Sequence, residues 1–160
     1  MKIFRVITGD CYKQAVDNIL RWHGDGLSLE SICVLNYKKE ALLLEINSLP
    51  VIYFISSLHK EEDIFSIEFI SLNPACSPLL KGKACIVFSN YLHGKLSGFD
   101  GAVIMLANAQ IRHLAVKLLR GLLEEVGVLR NYYRNRDGSF SDAFILYRAR
   151  VSKTTKGKTV

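Results

Sequence analysis

A candidate anion-binding segment lies near the middle of the chain, just after an apolar stretch over residues 64–72 that ends at Asn73-Pro74. The segment reads Lys81-Gly82-Lys83-Ala84 and leads into a second apolar stretch. A glycine-containing loop that joins a strand to a helix directs unpaired backbone N–H groups and the positive end of the helix dipole at one point. We therefore predict that this loop binds a phosphate or pyrophosphate. The alternative is an ordinary loop with two solvated lysines.

Metal and disulfide chemistry are not indicated by the sequence. The four cysteines form no Cys-x-x-Cys pair, and their spacing to the four histidines fits no metal site. We expect reduced cysteines and no metal. No apolar run approaches the roughly 20 residues that cross a bilayer, and the first residues carry no signal-peptide pattern. A cytoplasmic protein without a membrane segment is therefore expected.

The positive charge is concentrated in the last fifth of the chain. The formal net charge is +6, yet residues 1–129 contain 13 basic and 13 acidic residues. Residues 130–160 contain eight basic and two acidic residues. Such an excess attracts anions, which predicts a phosphorylated cofactor, an acidic substrate or nucleic acid as partner. For Lys153, Lys156 and Lys158 a solubilising tail is the simpler interpretation.

Hydrophobic periodicity predicts a mixed, mostly antiparallel sheet flanked by helices, an α/β (α+β) fold. Apolar residues make up 49% of the chain, which is typical of a globular domain, and we expect one domain over 1–150 with a basic tail over 151–160. Short polar breaks predict an antiparallel meander, and the continuously apolar stretch 102–107 predicts a strand parallel to its neighbour across a helix. Strands are predicted over 2–8, 41–46, 51–57, 64–72 and 102–107, and one more is possible over 32–37. Helices are predicted over 11–23, 84–92 and 110–126. A hairpin is predicted over 128–136 and 140–150.

This order of elements resembles that of the GNAT superfamily of acyl-CoA-dependent N-acetyltransferases. The strand over 64–72 is similar to the family's fourth strand, and Gly82-x-Ala84 matches the last two positions of its pyrophosphate-loop pattern, (Q/R)-x-x-G-x-(G/A). Gly127-Val128 resembles the Gly-Phe that usually ends the family's long helix. The chain departs from the family at Leu79, where Gln or Arg is usual, and at Leu123, where a tyrosine is frequent.

The resemblance implies transfer of an acetyl or other acyl group from acyl-CoA to an amine. A bulge would separate the fourth strand from the fifth, and the acyl-CoA arm would lie in the gap. Lys81, Gly82, Lys83 and Ala84 would bind the pyrophosphate. Ile70, Ser71 and Leu72 would pair with the pantetheine. Asn108, after the fifth strand, would either cap the next helix or contact the cofactor.

The proposed reaction needs a base, a group that polarises the thioester carbonyl and an acid. Glu68 is the candidate base, with a glutamate on the polar face of a strand as the alternative. Tyr132 or Tyr133 could replace the missing acid, although adjacent strand residues point to opposite faces, so at most one should face the cleft. Both could instead serve packing.

The acceptor is expected to be a small-molecule or macromolecular amine that enters between the first helix and the C-terminal hairpin. The basic hairpin favours an acceptor that carries negative charge. One alternative function is a catalytically inactive GNAT-like module with a basic face for nucleic acid or a protein. Another is an unrelated α/β interaction domain.

Overall fold

The computed structural model describes residues 2–7, 10–37 and 40–151. Seven strands form one sheet: β1 (Lys2–Ile7), β2 (Glu40–Ile46), β3 (Leu49–His59), β4 (Ile64–Leu72), β5 (Ala102–Ala107), β6 (Glu124–Arg134) and β7 (Phe140–Arg148). Four α-helices accompany them: α1 (Asp10–His23), α2 (Leu29–Asn36), α3 (Pro78–Ser97) and α4 (Ala109–Leu118). A short 3₁₀ turn over Gly24–Gly26 joins α1 to α2.

The strand order is β1-β2-β3-β4-β5-β7-β6, and every neighbouring pair is antiparallel except β4 and β5. The sheet therefore confirms the predicted fold class, the meander and the one parallel pair. β4 and β5 are parallel because α3 carries the chain back across the sheet between them. Their carboxyl ends consequently lie at the same edge.

Helices cover both faces of the sheet. Tyr53 and Phe54 are adjacent on β3, so their side chains point to opposite faces. Tyr53 packs against Trp22 of α1, and Phe54 packs against Phe88 of α3. The α1–α2 side and the α3–α4 side are thus two separate layers, and the buried apolar side chains fill the space between each layer and the sheet.

The predicted loop over residues 81–84 is wrong, because α3 begins earlier, at Pro78. Ser77 is the N-cap, and its hydroxyl accepts a hydrogen bond from the Leu80 N–H (3.2 Å). Proline suits the first position of a helix, where its missing N–H costs nothing. This start signal lies six residues before the predicted helix start at 84.

The predicted long helix over 110–126 is also wrong in its second half. α4 ends at Leu118, and Gly121 has a φ of +80°, so it is Gly121 rather than Gly127 that turns the chain out of the helix. Leu122 and Leu123 continue the apolar period but lie in the turn that follows. Gly127 lies within β6.

The remaining difference concerns residues 32–37, for which a strand was one possibility. They belong mostly to α2, whose N-cap Ser28 accepts a hydrogen bond from the Ser31 N–H (3.1 Å). Thr8, at the end of the first predicted strand, and the tail over 152–160 lie outside the described residues.

Candidate active site

The centre of the sheet opens between β4 and β5. The two strands pair only at their first residues, from Ile64 opposite Ala102 to Ile67 opposite Met105. On the other side of β4, Ile55 of β3 faces Phe69 while Ser56 faces Ile67. Glu68 is therefore the extra residue of β4 between these two pairs and forms a β-bulge, which bends the strand. The predicted separation of the two central strands by a bulge is present, and the bulge residue is Glu68.

A cleft of about 180 Å³ occupies this opening. It is lined from β4, β5, α2, the start of α4 and β6, and its polar lining side chains include Glu30, Glu68, Asn108, Tyr132 and Tyr133. The structure thus brings together the predicted base, both predicted tyrosines and Asn108. No Lys or Arg lines the cleft among the described residues.

Glu68 is oriented by a hydrogen bond from the neighbouring strand. The Ser57 hydroxyl on β3 donates to Glu68 Oε1 over 2.8 Å. This contact exists because the bulge places the Glu68 side chain on the same face of the sheet as Phe69 instead of on the opposite one. A carboxylate held in this way at the mouth of a cleft can accept a proton from a ligand.

Tyr132 and Tyr133 both line the cleft, so the prediction that at most one faces it is wrong. Leu129 faces Ala143 and Tyr133 faces Ser141, which leaves three β6 residues opposite Asp142 alone. This bulge, with three residues opposite one, breaks the alternation of side chains. The two tyrosine rings meet edge to face with centroids 5.0 Å apart.

An aspartate holds the bulge in β6. Asp142 accepts hydrogen bonds from the Asn131 backbone N–H and from the Arg130 guanidinium, each over 2.9 Å. Asn131 has a φ of +53°, a left-handed conformation that asparagine tolerates better than most residues. The bulge is therefore encoded by Asn131 and Asp142, a signal that the strand pattern conceals.

The two tyrosines differ in burial and in hydrogen bonding. Tyr133 is buried, and its hydroxyl donates to the Leu106 carbonyl on the separated part of β5 (3.1 Å). Burial is the main reason why the pKa of Tyr133 is raised well above its usual range, and the nearby Tyr132 and Glu30 raise it further. Tyr132 is 43% exposed. Tyr132 is thus the more accessible of the two proton donors.

Glu30 of α2 is a site residue that the sequence did not single out. It accepts two hydrogen bonds from Arg134 of β6, one from the backbone N–H (2.7 Å) and one from Nε (2.8 Å). Partial burial opposes ionisation of Glu30, but the hydrogen bonds from Arg134 outweigh it and lower the pKa of the carboxyl. The pair joins α2 to β6 across one side of the cleft.

Asn108 lines the cleft and also caps α4, since its Oδ1 accepts a hydrogen bond from the Ile111 N–H (2.9 Å). The predicted cap is confirmed. Ser71 is fully buried, and its hydroxyl lies 2.8 Å from His23 Nε2. Ile70, Ser71 and Leu72 belong to the part of β4 that does not pair with β5, and their contact with a pantetheine stays a prediction.

Residues 81–84 do not form the predicted cradle of backbone N–H groups. The Lys81 N–H donates to the Ser77 carbonyl (2.9 Å), and the N–H groups of Gly82, Lys83 and Ala84 follow within the same α-helix. Amides inside a helix have their acceptors four residues earlier. The geometry assumed for pyrophosphate binding by these residues is therefore absent.

The arginines of the C-terminal hairpin have partners within the protein. Arg134 binds Glu30, and Arg130 binds Asp142. Arg148 donates to the carbonyls of Leu96, Phe99 and Gly101, and Arg150 donates to the Glu62 carbonyl (2.7 Å). These contacts reduce the positive potential that the sequence count assigned to the hairpin, and within the part of the chain that the structure describes no basic side chain lines the cleft to receive an anionic acceptor.

The described residues bear on two expectations, which concern a membrane-spanning helix and a metal site. Within them, no helix is both long and apolar enough to span a membrane. No group of three or more His, Cys, Asp or Glu side chains in the same part of the chain is arranged to hold a metal ion.

The architecture is shared with solved acetyltransferase structures. No protein-family model and no curated protein sequence matches the chain. The ribosomal-protein-S18-alanine N-acetyltransferase from Escherichia coli aligns with a TM-score of 0.67 at 17% identity, covering 100% of this chain and 99% of that one. The spermidine/spermine N-acetyltransferase SpeG from Vibrio cholerae aligns at 0.64 and 10% identity, with 99% and 100% covered.

A third similar structure is NAA60 from Arabidopsis thaliana in complex with a bisubstrate analogue. It aligns with a TM-score of 0.61 at 15% identity and covers 92% of this chain and 97% of that one. A GNAT-family acetyltransferase from Streptococcus pneumoniae aligns at 0.63 and 14% identity, with 92% and 99% covered. Because the whole chain is covered and the strand order includes one parallel central pair opened by a bulge, the protein has the fold of the GNAT acetyltransferases.

Proposed function

We propose that the protein transfers an acyl group from a pantetheine thioester to an amine, with acetyl-CoA as the simplest donor. The observation that carries this proposal is the cleft at the β4–β5 opening, where Glu68, Tyr132 and Tyr133 meet. The Glu68 carboxylate, in a cleft that no Lys or Arg among the described residues lines, favours a cationic amine as acceptor over the anionic one that the hairpin charge suggested. The similar structures act, by name, on a protein alanine and on spermidine/spermine, and both substrates carry amines.

In this mechanism the amine nitrogen attacks the thioester carbonyl carbon, the C–N bond forms and the C–S bond breaks. Glu68 accepts one proton from the ammonium before the attack, directly or through a water molecule. The nitrogen loses its second proton to solvent as the amide forms, and solvent returns a proton to the acid that protonates the thiolate. The β4 backbone beyond Ile67 is not paired with β5, so N–H groups that face the gap can stabilise the negative charge on the carbonyl oxygen. The pantetheine would lie along residues 70–72 of the same strand.

Tyr132 would protonate the departing thiolate. Tyr133 is less suited, because its hydrogen bond to Leu106 and its burial both retain the proton. In the family, the usual acid stands four residues before the glycine that ends the long helix. Counting from Gly121 gives Lys117 instead of a tyrosine. The hairpin thus supplies the acid that the helix lacks, and Tyr133 positions the cleft end of β6 against β5.

The test is a thiol-release assay with acetyl-CoA and two acceptors, a peptide with a free N-terminal alanine and spermidine. Glu68→Gln should lower kcat/KM by about 100-fold or more, because general-base catalysis contributes about that factor. Tyr132→Phe should lower kcat by about tenfold at least. Glu61→Gln, in the exposed turn between β3 and β4, is the matched control and should leave the rate unchanged.

Two outcomes would contradict these assignments. Absence of acetyl transfer to every acceptor tested would overturn the proposed function. Full activity of Glu68→Gln would overturn the assignment of the base.

A further inference from the structure

The exposed surface of α3 and α4 combines lysines with apolar side chains and lacks acidic residues. Neither helix contains Asp or Glu. Leu79, Lys83 and Ile86 are spaced at four and three residues, so they share one face of α3. Leu79 is 73% exposed and Ile86 64%. We call this region, with Lys117 of α4, the α3–α4 face.

The lysines of the α3–α4 face have no acidic partners. None of the ion pairs among the described residues includes Lys83 or Lys117. Ile86 and Lys117 border a shallow groove of about 250 Å³ between the two helices. Positive charge on this face is therefore free to attract an anion, in contrast to the hairpin arginines.

The start of α3 offers little to a dinucleotide. Pro78 has no N–H, the Leu80 N–H is bound by Ser77 Oγ, and the Lys81 N–H is bound by the Ser77 carbonyl. The Leu79 N–H is the one donor of the first turn without an acceptor among the described residues. A pyrophosphate needs several such donors. The ADP portion of CoA would consequently find weak anchoring here.

We propose that the α3–α4 face docks an acidic carrier protein that presents the acyl group on a phosphopantetheine arm. Unpaired lysines match an acidic protein, and the exposed Leu79 and Ile86 give it apolar contacts that a nucleic acid or a free nucleotide would not use. Five residues separate the end of β4 from the start of α3, so the face adjoins the edge at which the β4–β5 opening lies. This inference rests on the proposed function and defines its donor.

The chemistry is unchanged by the carrier. The thioester C–S bond on the arm breaks, the amide C–N bond forms, the amine proton passes to Glu68, and the arm leaves as a thiol with a proton from Tyr132. What changes is the source of binding energy, which comes from protein contacts instead of the nucleotide. A small, partly polar interface of this kind is typical of transient complexes.

The experiment measures calorimetric binding of an acidic acyl carrier protein loaded with acetyl-phosphopantetheine to the full chain. We expect a dissociation constant in the micromolar range, roughly 1–100 µM. Lys83→Glu combined with Lys117→Glu should weaken binding by about tenfold or more, through loss of charge complementarity. Lys13→Glu on α1, an exposed lysine of the opposite layer, is the matched control and should leave binding unchanged.

Turnover of three donors gives the second readout. The loaded carrier should have a kcat/KM about tenfold or more above that of acetyl-CoA. The Lys83→Glu/Lys117→Glu variant should lose that advantage and keep the wild-type rate with acetyl-pantetheine, which does not contact the face. An equal loss with acetyl-pantetheine would show a general defect and overturn the docking proposal.

Other outcomes are also decisive. Absence of carrier binding would overturn the proposal. It would also be overturned if the chain bound a DNA duplex more tightly than the carrier and Lys83→Glu/Lys117→Glu abolished that binding. Self-association of the chain that the same two substitutions abolish would overturn it as well. Carrier binding that follows the expected pattern without acetyl transfer from any donor would contradict the proposed function and leave the docking surface established. Transfer from acetyl-CoA without carrier binding would support the proposed function and overturn the docking proposal.

Discussion

The C-terminal hairpin and the α3–α4 face are both basic, but the charges of the hairpin are paired within the protein and those of the face are not. On the hairpin, Arg134 and Arg130 pair with carboxylates and Arg148 binds three backbone carbonyls. On the α3–α4 face, Lys83 and Lys117 have no such partners among the described residues. The first set of charges holds strands and loops together, and the second set is available to another molecule.

The comparison shows that a count of charges along the chain does not give the potential of a surface. A charge with an adjacent counter-charge has a short-range field, whereas unpaired charges on one face add up within the Debye length of about 10 Å. Substitutions on the hairpin should therefore change stability, and substitutions on the α3–α4 face should change binding.

The largest effect on stability is expected for Arg148→Ala. Its guanidinium joins β7 to the end of α3 and the start of β5 through the carbonyls of Leu96 and Gly101, each over 2.8 Å, and of Phe99. Loss of these charge-assisted bonds should lower the free energy of unfolding by about 2–4 kcal/mol. Urea denaturation measures this loss in the free energy of unfolding. Arg130→Ala, at a more exposed hairpin arginine, should cause a clearly smaller change, and equal losses would contradict the assigned role.

A smaller effect is expected for the pair of Glu30 and Arg134. A double-mutant cycle with Glu30→Gln and Arg134→Ala should give a coupling free energy below about 1 kcal/mol, because the arginine is largely exposed. The pKa of Glu30 is lowered in the folded protein. The coupling should thus be complete above the ordinary carboxyl pKa and disappear as the pH falls through the lowered value. A coupling that persists in acid would contradict the ionic character of the contact.

The smallest effect on stability is expected for Lys83→Glu. The side chain is exposed and has no ion pair among the described residues, so the free energy of unfolding should change by no more than about 0.5 kcal/mol. The urea titration used for Arg148→Ala also measures the change in the free energy of unfolding for Lys83→Glu. A loss of the size expected for Arg148→Ala would show that Lys83 serves the fold, and the distinction between the two basic regions would fail.

Local sequence patterns predicted much of the fold. The strands Ile64–Leu72 and Ala102–Ala107 have the predicted bounds, since each is a short apolar run between polar breaks. The cap at Asn108 was predictable for the same reason, because capping involves residues close in sequence. The start of α3 differs from the prediction because Gly82 is also compatible with a loop, although Ser77-Pro78 is a local signal for a helix start. The end of α4 was missed because Leu122 and Leu123 continue its apolar period.

The sequence by itself determined the order of the elements and the parallel pair at the centre of the sheet, which follow from short-range periodicity, and the resemblance to the GNAT superfamily made Glu68 the candidate base. Only the tertiary structure decided that Glu68 is the bulge residue, that both tyrosines enter one cleft and that Glu30 closes its side. Glu30 and Arg134 are 104 residues apart, and no local pattern encodes a contact over that separation. The neutralisation of the hairpin arginines was decided in the same way, because it depends on which carbonyls and carboxylates the folded chain brings to them.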